Sequence, residues 1–289
     1  MSKEEDDGIP SRLTSVAKVS VHEEMNPSFR STMEDTWCVK DGMCGKPEWG
    51  FFGVYDGHGG REVAEYLKDN LASLVEKEMG ERHTAGGAGR PAVGGDAGKR
   101  SVEECLSSAF YFADIKAKAL YGSSAAGATA CTCFVKTSGR DKYVYTANCG
   151  DARAVLCAKG VARRLSKDHK ATDDEEKKRI EELGGFVLRN RVLGVLAVAR
   201  AFGDYSLKKY VPCTPYTSGV KLDATAQFLI VACDGVWDVL SDEEAVGLVR
   251  EYCDGSAAGA KSTRAAKYLV DQALARGSTD NVTCMVVFL

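Results

Sequence analysis

Acidic residues recur at the ends of segments that have the composition of buried β-strands. Asp56 directly follows the apolar run 49–55, and Asp234 directly follows the apolar run 228–233. Asp280 directly precedes the apolar C-terminal segment of the chain. Because neighbouring antiparallel strands begin and end at the same edge of a sheet, we expect these three carboxylates to lie close together.

Two further acidic sites have the same relation to predicted strands. Glu34 and Asp35 precede a strand-like segment that begins at Thr36, and Asp151 lies in the turn between two strands. For any single position, the preference of Asp for turns is an equally good explanation. So many carboxylates at one edge repel one another, however, and the pattern therefore favours bound cations. Carboxylate and carbonyl oxygens without a Cys or His cluster suit Mg²⁺ or Mn²⁺.

The residues after Asp56 supply the other groups that a hydrolytic site needs. Gly57 offers a backbone carbonyl and, because it has no Cβ, lets the chain approach an ion or a phosphate closely. His58 can transfer a proton near neutral pH. If Asp56 bridges two ions, a water held between them becomes acidic enough to attack phosphorus. The pattern is therefore compatible with a pair of ions that activate a water for attack on phosphorus.

Helices and paired strands make up the rest of the pattern. Apolar residues at helical spacing predict a helix over 61–79, which Gly80 is expected to end. A second helix is predicted over 101–121, with a capping box formed by Ser101 and Glu104. Strand-like segments outnumber the helices and come in hairpins. This pattern predicts an α+β fold, a β-sandwich of two antiparallel sheets flanked by helices on both sides.

The chain has the length and composition of a globular domain. It has 289 residues, of which 44% are apolar and 27% charged. Residues 1–12 are polar and acidic and are predicted to be disordered, whereas residues 13–289 are predicted to form a single domain. Within that domain, the Gly- and Ala-rich stretch 83–100 is predicted to be a flexible insertion.

Composition and charge argue against several classes of function. The net charge is −3 and the pI about 5.9, so no basic field is expected to hold nucleic acid or an anionic membrane. No segment has the roughly 20 apolar residues of a membrane span, and the acidic N-terminus does not resemble a signal peptide. The eleven scattered cysteines include no C-x-x-C pair, which favours a reduced, intracellular protein. We expect a monomeric cytoplasmic protein, with the nucleus as a second location.

Short motifs occur in order along residues 24–289: Arg30-x-x-Met33-Glu34-Asp35, Phe52-Gly53-Val54-Tyr55-Asp56-Gly57-His58-Gly59-Gly60, Gly127-Ala128-Thr129-Ala130, Asn148-Cys149-Gly150-Asp151-Ala152-Arg153, Asp168-His169-Lys170, Ala201-Phe202-Gly203-Asp204, Ala232-Cys233-Asp234-Gly235-Val236-Trp237-Asp238 and Ser278-Thr279-Asp280-Asn281. Any one of them is a weak signal. Together they closely resemble the metal-dependent type-2C protein serine/threonine phosphatases, the PPM family. The resemblance implies a helix-flanked β-sandwich with a binuclear Mg²⁺ or Mn²⁺ centre at one end, and phosphoproteins as substrates.

The resemblance also implies a ligand for each ion. Asp56 would bridge both ions, with Asp234 and Asp280 on the first. Glu34 and the carbonyl of Gly57 would serve the second ion, directly or through water.

Further roles follow from the same resemblance. Asp35 would hold a metal-bound water, Arg30 would clamp the phosphate, and His58 would be the general acid. Asp151 and Asp238, together with Asp234, resemble the weaker third metal site of the family.

The same sequence pattern is compatible with one alternative function. A catalytically weak pseudophosphatase, acting as a regulatory binding module, is the alternative function. Segment 205–227 corresponds to the variable flap of the family.

Cys157 and Arg163 form a literal C-x-x-x-x-x-R, the signature of phosphotyrosine phosphatases, but Cys157 is predicted to end a strand rather than lie at a helix N-terminus. His169 is expected to be structural.

Overall fold

The computed structural model describes residue 9 and residues 12–81, 100–254 and 262–289. The N-terminal segment 1–12 and the insertion 83–100, both predicted to be flexible, lie outside the described residues except for residues 9, 12 and 100. None of the described helices is long and apolar enough to cross a membrane.

The strands, in chain order, are β1 (Lys18–Glu24), β2 (Thr36–Asp41), β3 (Gly50–His58), β4 (Gly127–Ser138), β5 (Asp141–Cys149), β6 (Arg153–Ala158), β7 (Val161–Arg164), β8 (Val187–Leu188), β9 (Arg191–Val192), β10 (Phe202–Gly203), β11 (Tyr216–Leu222), β12 (Ala226–Ala232) and β13 (Val282–Phe288). The α-helices are α1 (Glu62–Glu81), α2 (Val102–Tyr121), α3 (Asp174–Glu182), α4 (Asp234–Trp237), α5 (Asp242–Asp254) and α6 (Ala265–Ala275).

The longer strands form two antiparallel sheets. The first sheet has the order β1-β13-β12-β6-β7, and the second has the order β11-β5-β4-β3-β2, with β10 paired to β4. Strands β8 and β9 form a separate hairpin. Helices α1 and α2 cover the outer face of the second sheet, and α5 and α6 cover the outer face of the first. The prediction of a helix-flanked sandwich is confirmed.

Burial of both sheet faces explains why the central strands are apolar throughout. Along β3, Phe51 and Tyr55 face the helices α1 and α2, whereas Phe52 and Val54 face the opposite sheet. Successive side chains of a strand point to opposite faces, so a strand buried on both faces cannot alternate apolar and polar residues. The strands are held in place from both sides, and the positions of residues at their ends are fixed accordingly.

Two predicted boundaries are wrong. Strand β3 does not end before Asp56 but continues to His58, because pairing with β4 persists over Asp56↔Thr129, Gly57↔Ala128 and His58↔Gly127. Helix α1 does not end at Gly80 but continues to Glu81, the last residue described before the gap at 82–99. The capping box of α2 is confirmed, since Ser101 Oγ accepts a hydrogen bond from the backbone N–H of Glu104 and the Glu104 carboxylate accepts one from the N–H of Ser101.

Candidate active site

Three aspartates meet at one end of the sandwich. Asp56 lies in β3, Asp151 lies in the turn between β5 and β6, and Asp234 is the first residue of α4, which follows β12. One carboxylate oxygen from each lies within 4.8 Å of the others. We call these residues the acidic cluster. The prediction that acids at strand ends share one edge of the sheets is confirmed for these three.

A cavity of about 310 Å³ opens over the acidic cluster. The residues lining it from the predicted set are Arg30, Asp56, Gly57, His58, Asp151, Asp234 and Asp280. Thr129, paired with Asp56 across the sheet, and the segment 196–198 complete much of its wall. The cavity thus collects the guanidinium groups of Arg30 and Arg191, an imidazole and several carboxylates in one space.

The carboxylates of the acidic cluster are difficult to ionise together. Burial, with the negative charges of Asp35 and Asp234 nearby, raises the pKa of Asp56 well above its usual range. Burial also raises the pKa of Asp234, and the charges of Asp151 and Asp238 add to the effect. The pKa of Asp151 rises to about 6, chiefly because of its burial.

Buried oxygens without partners give a second indication of what the acidic cluster binds. In the described part of the chain, Asp35 Oδ2 and Asp151 Oδ1 are buried and make no hydrogen bond. A buried carboxylate oxygen without a donor or a cation is costly. The donor set is all oxygen and carries several negative charges, which suits a hard divalent cation such as Mg²⁺ or Mn²⁺. The residues present therefore fit the metal that the family resemblance implies.

Asp35 lies beneath the acidic cluster rather than in the open cavity. Its side chain is buried close to Thr283 and Cys233. Burial raises the pKa of Asp35 to about 6, although the nearby hydroxyl of Thr283 and thiol of Cys233 oppose the shift. Asp35 is close enough to Asp56 for its negative charge to raise the pKa of that carboxyl.

Asp280 and Arg30 contact each other at the rim of the cavity. Arg30 Nη2 donates a hydrogen bond to Asp280 Oδ2, and Arg30 Nε lies 3.4 Å from the carbonyl oxygen of Thr279. Asp280 Oδ1 accepts a hydrogen bond of 2.7 Å from the N–H of Asn281. The structure thus gives Asp280 a guanidinium partner and does not include it in the acidic cluster with Asp56 and Asp234.

Glu34 approaches the cavity through its backbone. A Cβ added to Gly57 would lie 2.5 Å from the carbonyl oxygen of Glu34, so only glycine permits the two segments to pack this closely. The close approach at Gly57 is therefore to the protein backbone. Asn281 fixes the same segment, because its Oδ1 accepts from Glu34 N at 2.8 Å and its Nδ2 donates to the carbonyl of Thr32 at 2.9 Å.

Asp238, predicted as part of a third metal site, has an ammonium partner. Lys170 Nζ lies 2.6 Å from Asp238 Oδ1 and 3.7 Å from Asp151 Oδ2. The lysine therefore provides positive charge at the edge of the acidic cluster where the third ion was predicted.

His58 makes a hydrogen bond with a residue that had no predicted role. His58 Nε2 lies 2.8 Å from Asp204 Oδ2. The Asp204 side chain is 6% exposed and that of His58 27% exposed. The imidazole therefore reaches the cavity while a buried carboxylate holds one of its nitrogens.

Comparison with known proteins identifies the family. The Protein phosphatase 2C family model matches residues 19–282 of the chain. The chain belongs to the protein phosphatase 2C family. The predicted family and the predicted class of enzyme, a metal-dependent protein serine/threonine phosphatase, are thereby confirmed.

Curated relatives of this family cover most of the chain. Protein phosphatase 2C homolog 1 of Saccharomyces cerevisiae is 36% identical over 287 residues, which are 94% of this chain and 93% of the yeast protein. Protein phosphatase 2C homolog 1 of Schizosaccharomyces pombe is 38% identical over 271 residues, 92% of this chain and 72% of that protein. The alternative of a pseudophosphatase receives no support from these relatives.

Solved structures show the same fold. A serine-threonine phosphatase 2C from Toxoplasma gondii has a TM-score of 0.77 and 23% identity, with 96% of both chains covered. A C. elegans sex determining protein has a TM-score of 0.80 and 23% identity, with 96% of this chain and 66% of that chain covered. At this identity the similarity concerns the fold alone.

The phosphatase 2C fold places the phosphotyrosine-phosphatase signature away from the cavity. Cys157 is a buried residue of β6, and its Sγ lies 3.2 Å from Gln227 Oε1. Burial raises the pKa of this thiol, whereas a nucleophilic cysteine needs a lowered pKa. His169 is also buried, and its Nδ1 lies 3.1 Å from the carbonyl oxygen of Gly150, as expected of a structural residue.

The sequence did not reveal which segment lies beside the acidic cluster. Segment 205–227, expected to be the flap, contains the edge strand β11, which pairs with β5 from Tyr216↔Asn148 to Leu222↔Lys142. The cavity wall opposite the aspartates instead comes from Arg191 and residues 196–198. The buried Glu176 anchors this region through its ion pair with Arg200, at 2.5 Å.

Three supporting residues had no role assigned from sequence: Asn281, Lys170 and Asp204. Each lies inside one of the ordered motifs, next to or near a residue whose role was assigned. The sequence signal for a role in the site was that each of these residues belongs to one of those motifs. Only the tertiary structure shows which side chain each of them contacts.

Proposed function

We propose that this phosphatase hydrolyses phosphoserine and phosphothreonine in protein substrates at a binuclear Mg²⁺ or Mn²⁺ centre. One observation carries the proposal: the acidic cluster of Asp56, Asp151 and Asp234 lines the same cavity as Arg30 and His58. When bound, two such ions supply a hydroxide nucleophile at neutral pH and neutralise part of the phosphate charge.

The acidic cluster and its neighbours would hold the ions. Asp56 has a carboxylate oxygen within 4.8 Å of those of both Asp151 and Asp234, so it would be placed to contribute to holding both ions. Asp280, Glu34 and the carbonyl of Gly57 are the further candidate ligands. The raised pKa values in the protein without metal fit this role, because a divalent cation relieves the repulsion that opposes ionisation of these carboxylates.

Arg30 would bind the phosphate. Its side chain is 48% exposed at the cavity rim, and its present partner is the carboxylate of Asp280. If Asp280 held a cation, the guanidinium group of Arg30 would be released from this ion pair. The planar group then offers two parallel N–H donors to a phosphate.

His58 would protonate the leaving oxygen. Serine and threonine alkoxides are poor leaving groups, so a proton must reach the oxygen as its bond to phosphorus breaks. An acid positioned for this step contributes about 10²–10⁴-fold to the rate. His58 lies on β3 two residues beyond Asp56, which places the acid and the metal ligand in one cavity.

The direct test is phosphate release from a phosphothreonine peptide and, in parallel, from a phosphotyrosine peptide. The protein is first dialysed against a chelator, and Mg²⁺ or Mn²⁺ is then restored. We expect release from the phosphothreonine peptide only after a divalent cation is restored. Full activity in the chelator would refute the metal centre, and activity confined to phosphotyrosine would refute the substrate class.

A further inference from the structure

His58 and Asp204 meet across a single strand of the second sheet. In the register of the sheet, His58 of β3 lies opposite Gly127 of β4, and Gly127 also lies opposite Gly203 of β10. Asp204 directly follows Gly203. Two residues on either side of one β4 position therefore bring an imidazole and a carboxylate to 2.8 Å.

The β4 position between them has to be glycine. A Cβ added to Gly127 would lie 2.1 Å from Asp204 Oδ2 and 2.4 Å from His58 Nε2. Both distances are far inside van der Waals contact, so any other residue at this position would push the pair apart. The missing side chain leaves the space in which the hydrogen bond forms.

The backbone of Asp204 is held in the conformation that presents its carboxylate to His58. Asp204 has a φ of +47°, in the left-handed region, which Asp tolerates better than most residues with a Cβ. Its N–H donates to the carbonyl of Ala126 at 3.2 Å, and its carbonyl accepts from Leu207 N at 2.8 Å.

The carboxylate of Asp204 serves His58 alone within the described residues. Its side chain is 6% exposed, and the hydrogen bond to Nε2 is the only one that it makes there. Burying a carboxylate that has a single hydrogen-bond partner costs desolvation free energy, and support of a loop alone does not account for that cost. A carboxylate held in place and bonded to one ring nitrogen is, in contrast, well suited to fixing the orientation of an imidazole ring.

We infer that Asp204 is a positioning residue for the general acid, an inference that rests on the proposed function of His58. A carboxylate can only accept hydrogen bonds, so Nε2 carries a hydrogen and donates it to Asp204. The ring is thereby oriented, and Nδ1 is the nitrogen that delivers the proton. Nδ1 makes no hydrogen bond to the described residues, so it is free to do so.

The proton transfer balances with these assignments. Hydroxide, formed when a water releases a proton to solvent, attacks phosphorus while the bond from phosphorus to the serine or threonine oxygen breaks, and that oxygen keeps the electron pair. The Nδ1 proton of the imidazolium moves to this oxygen. His58 is left neutral, with its remaining hydrogen at Nε2 still donated to Asp204.

The test compares two substrates with different leaving groups. A p-nitrophenolate leaves without a proton, whereas the hydroxyl oxygen of a phosphothreonine peptide needs one. Partners that orient a functional histidine contribute about 10–100-fold. Asp204→Asn should therefore lower turnover of the phosphothreonine peptide by about 10–100-fold, and turnover of p-nitrophenyl phosphate much less, with Mn²⁺ binding unchanged.

A second variant separates positioning from general support of the segment. Asp114 is also buried, and its Oδ1 accepts from Gly203 N at 2.9 Å and from Lys208 Nζ at 3.1 Å, without contacting His58. Asp114→Asn is therefore the matched control: it weakens the attachment of the same segment but leaves the hydrogen bond to His58. We expect its losses, if any, to be equal on the two substrates.

The combination of Asp204→Asn with His58→Gln completes the test. If Asp204 acts through His58, the double variant should be no slower on the phosphothreonine peptide than His58→Gln alone. Equal losses of Asp204→Asn on both substrates, or additive losses in the double variant, would overturn the inference. A wild-type protein without phosphatase activity would instead contradict the proposed function, and His58→Gln without a leaving-group difference would remove the general acid itself.

Discussion

Two groups of buried charge lie in the same sandwich, and only one of them is closely matched by counter-charges. The first is centred on the buried Arg153, whose Nη1 lies 2.7 Å from Asp242 Oδ1 and whose Nε lies 3.1 Å from Asp168 Oδ1. Arg164 Nε adds a bond of 2.8 Å to Asp242. The second is the acidic cluster of Asp56, Asp151 and Asp234, which no arginine pairs with in the described residues and which Lys170 Nζ approaches only to 3.7 Å, at Asp151 Oδ2.

The ionisation of the two groups differs in direction. Burial opposes the charge of Asp242, but hydrogen bonds from Arg164 and Arg153 outweigh it and lower the pKa of this carboxyl. Burial raises the pKa of Asp56, and the neighbouring acids raise it further. The contrast teaches that burial alone does not identify a functional site. A buried acid whose charge the protein leaves uncompensated is the one that awaits a ligand.

The largest expected effect comes from removing the central acid of the cluster. Asp56→Asn deletes the negative ligand that the proposed function assigns to both cations, and bound metal ions contribute several kcal/mol to transition-state stabilisation. We expect phosphothreonine-peptide turnover at saturating Mn²⁺ to fall by at least about 10³-fold. The metal-free variant should melt at a higher temperature than the metal-free wild type, because like charges no longer repel. Near-normal turnover would exclude a bridging role for Asp56.

The matched substitution in the group around Arg153 should lower the stability of the protein and leave its turnover nearly unchanged. Asp242→Asn removes the charged acceptor of Arg153 and Arg164, and charge-assisted hydrogen bonds contribute about 1.5–3 kcal/mol each. We expect the free energy of unfolding, measured by denaturant titration, to fall by an amount of that order. Turnover per folded molecule should stay within a few-fold of wild type. A large loss of turnover in a fully folded variant would break the comparison.

The pH dependence of stability should distinguish the two groups as well. Burial raises the pKa of Asp151 to about 6, so the stability associated with its neutral form is present below about pH 4 and is lost as pH rises through 6. Asp151→Asn does not titrate and should become more stable than the wild type above pH 6, by about 1–3 kcal/mol, when both proteins are metal-free. Saturating Mn²⁺ should abolish or reverse this difference. A constant difference between pH 4 and 8 would contradict the raised pKa.

The smallest expected effect concerns the ammonium group at the edge of the acidic cluster. Lys170 Nζ lies 3.7 Å from Asp151 Oδ2 and its side chain is 36% exposed, so its charge competes only weakly with a cation. Lys170→Met should tighten Mn²⁺ binding, measured by calorimetry, by up to about fivefold. Weaker Mn²⁺ binding in this variant would show that the lysine supports the metal site instead.

The parts of the site that the sequence predicts are those fixed by strand order. Asp56 and Asp234 come together because β3 and β12 end at the same edge of the sandwich, and apolar runs reveal both strands. Pairing between His58 and Asp204 could not be predicted in this way, because their positions are 146 residues apart and meet only through the register of β4. The contact between Arg30 and Asp280 depends likewise on side-chain placement that no local pattern encodes.

The extent of local elements was also set by tertiary contacts. Helix α1 continues past Gly80 although glycine is a frequent helix terminator. Strand β3 includes Asp56 because its pairing with β4 continues to His58. Composition identified both elements, and for β3 the pairing with β4 decided how far the strand extends.

The central claim is that the uncompensated acidic cluster is the cation site on which hydrolysis depends. The most direct measurement titrates Mn²⁺ into chelator-treated protein and follows bound metal and phosphothreonine-peptide turnover on the same samples. We predict that turnover rises in step with the filling of two sites, and that Asp56→Asn loses tight binding and turnover together while Asp242→Asn retains both. Turnover at the wild-type level without bound divalent cation, or Mn²⁺ binding that is unaffected in Asp56→Asn, would contradict the claim.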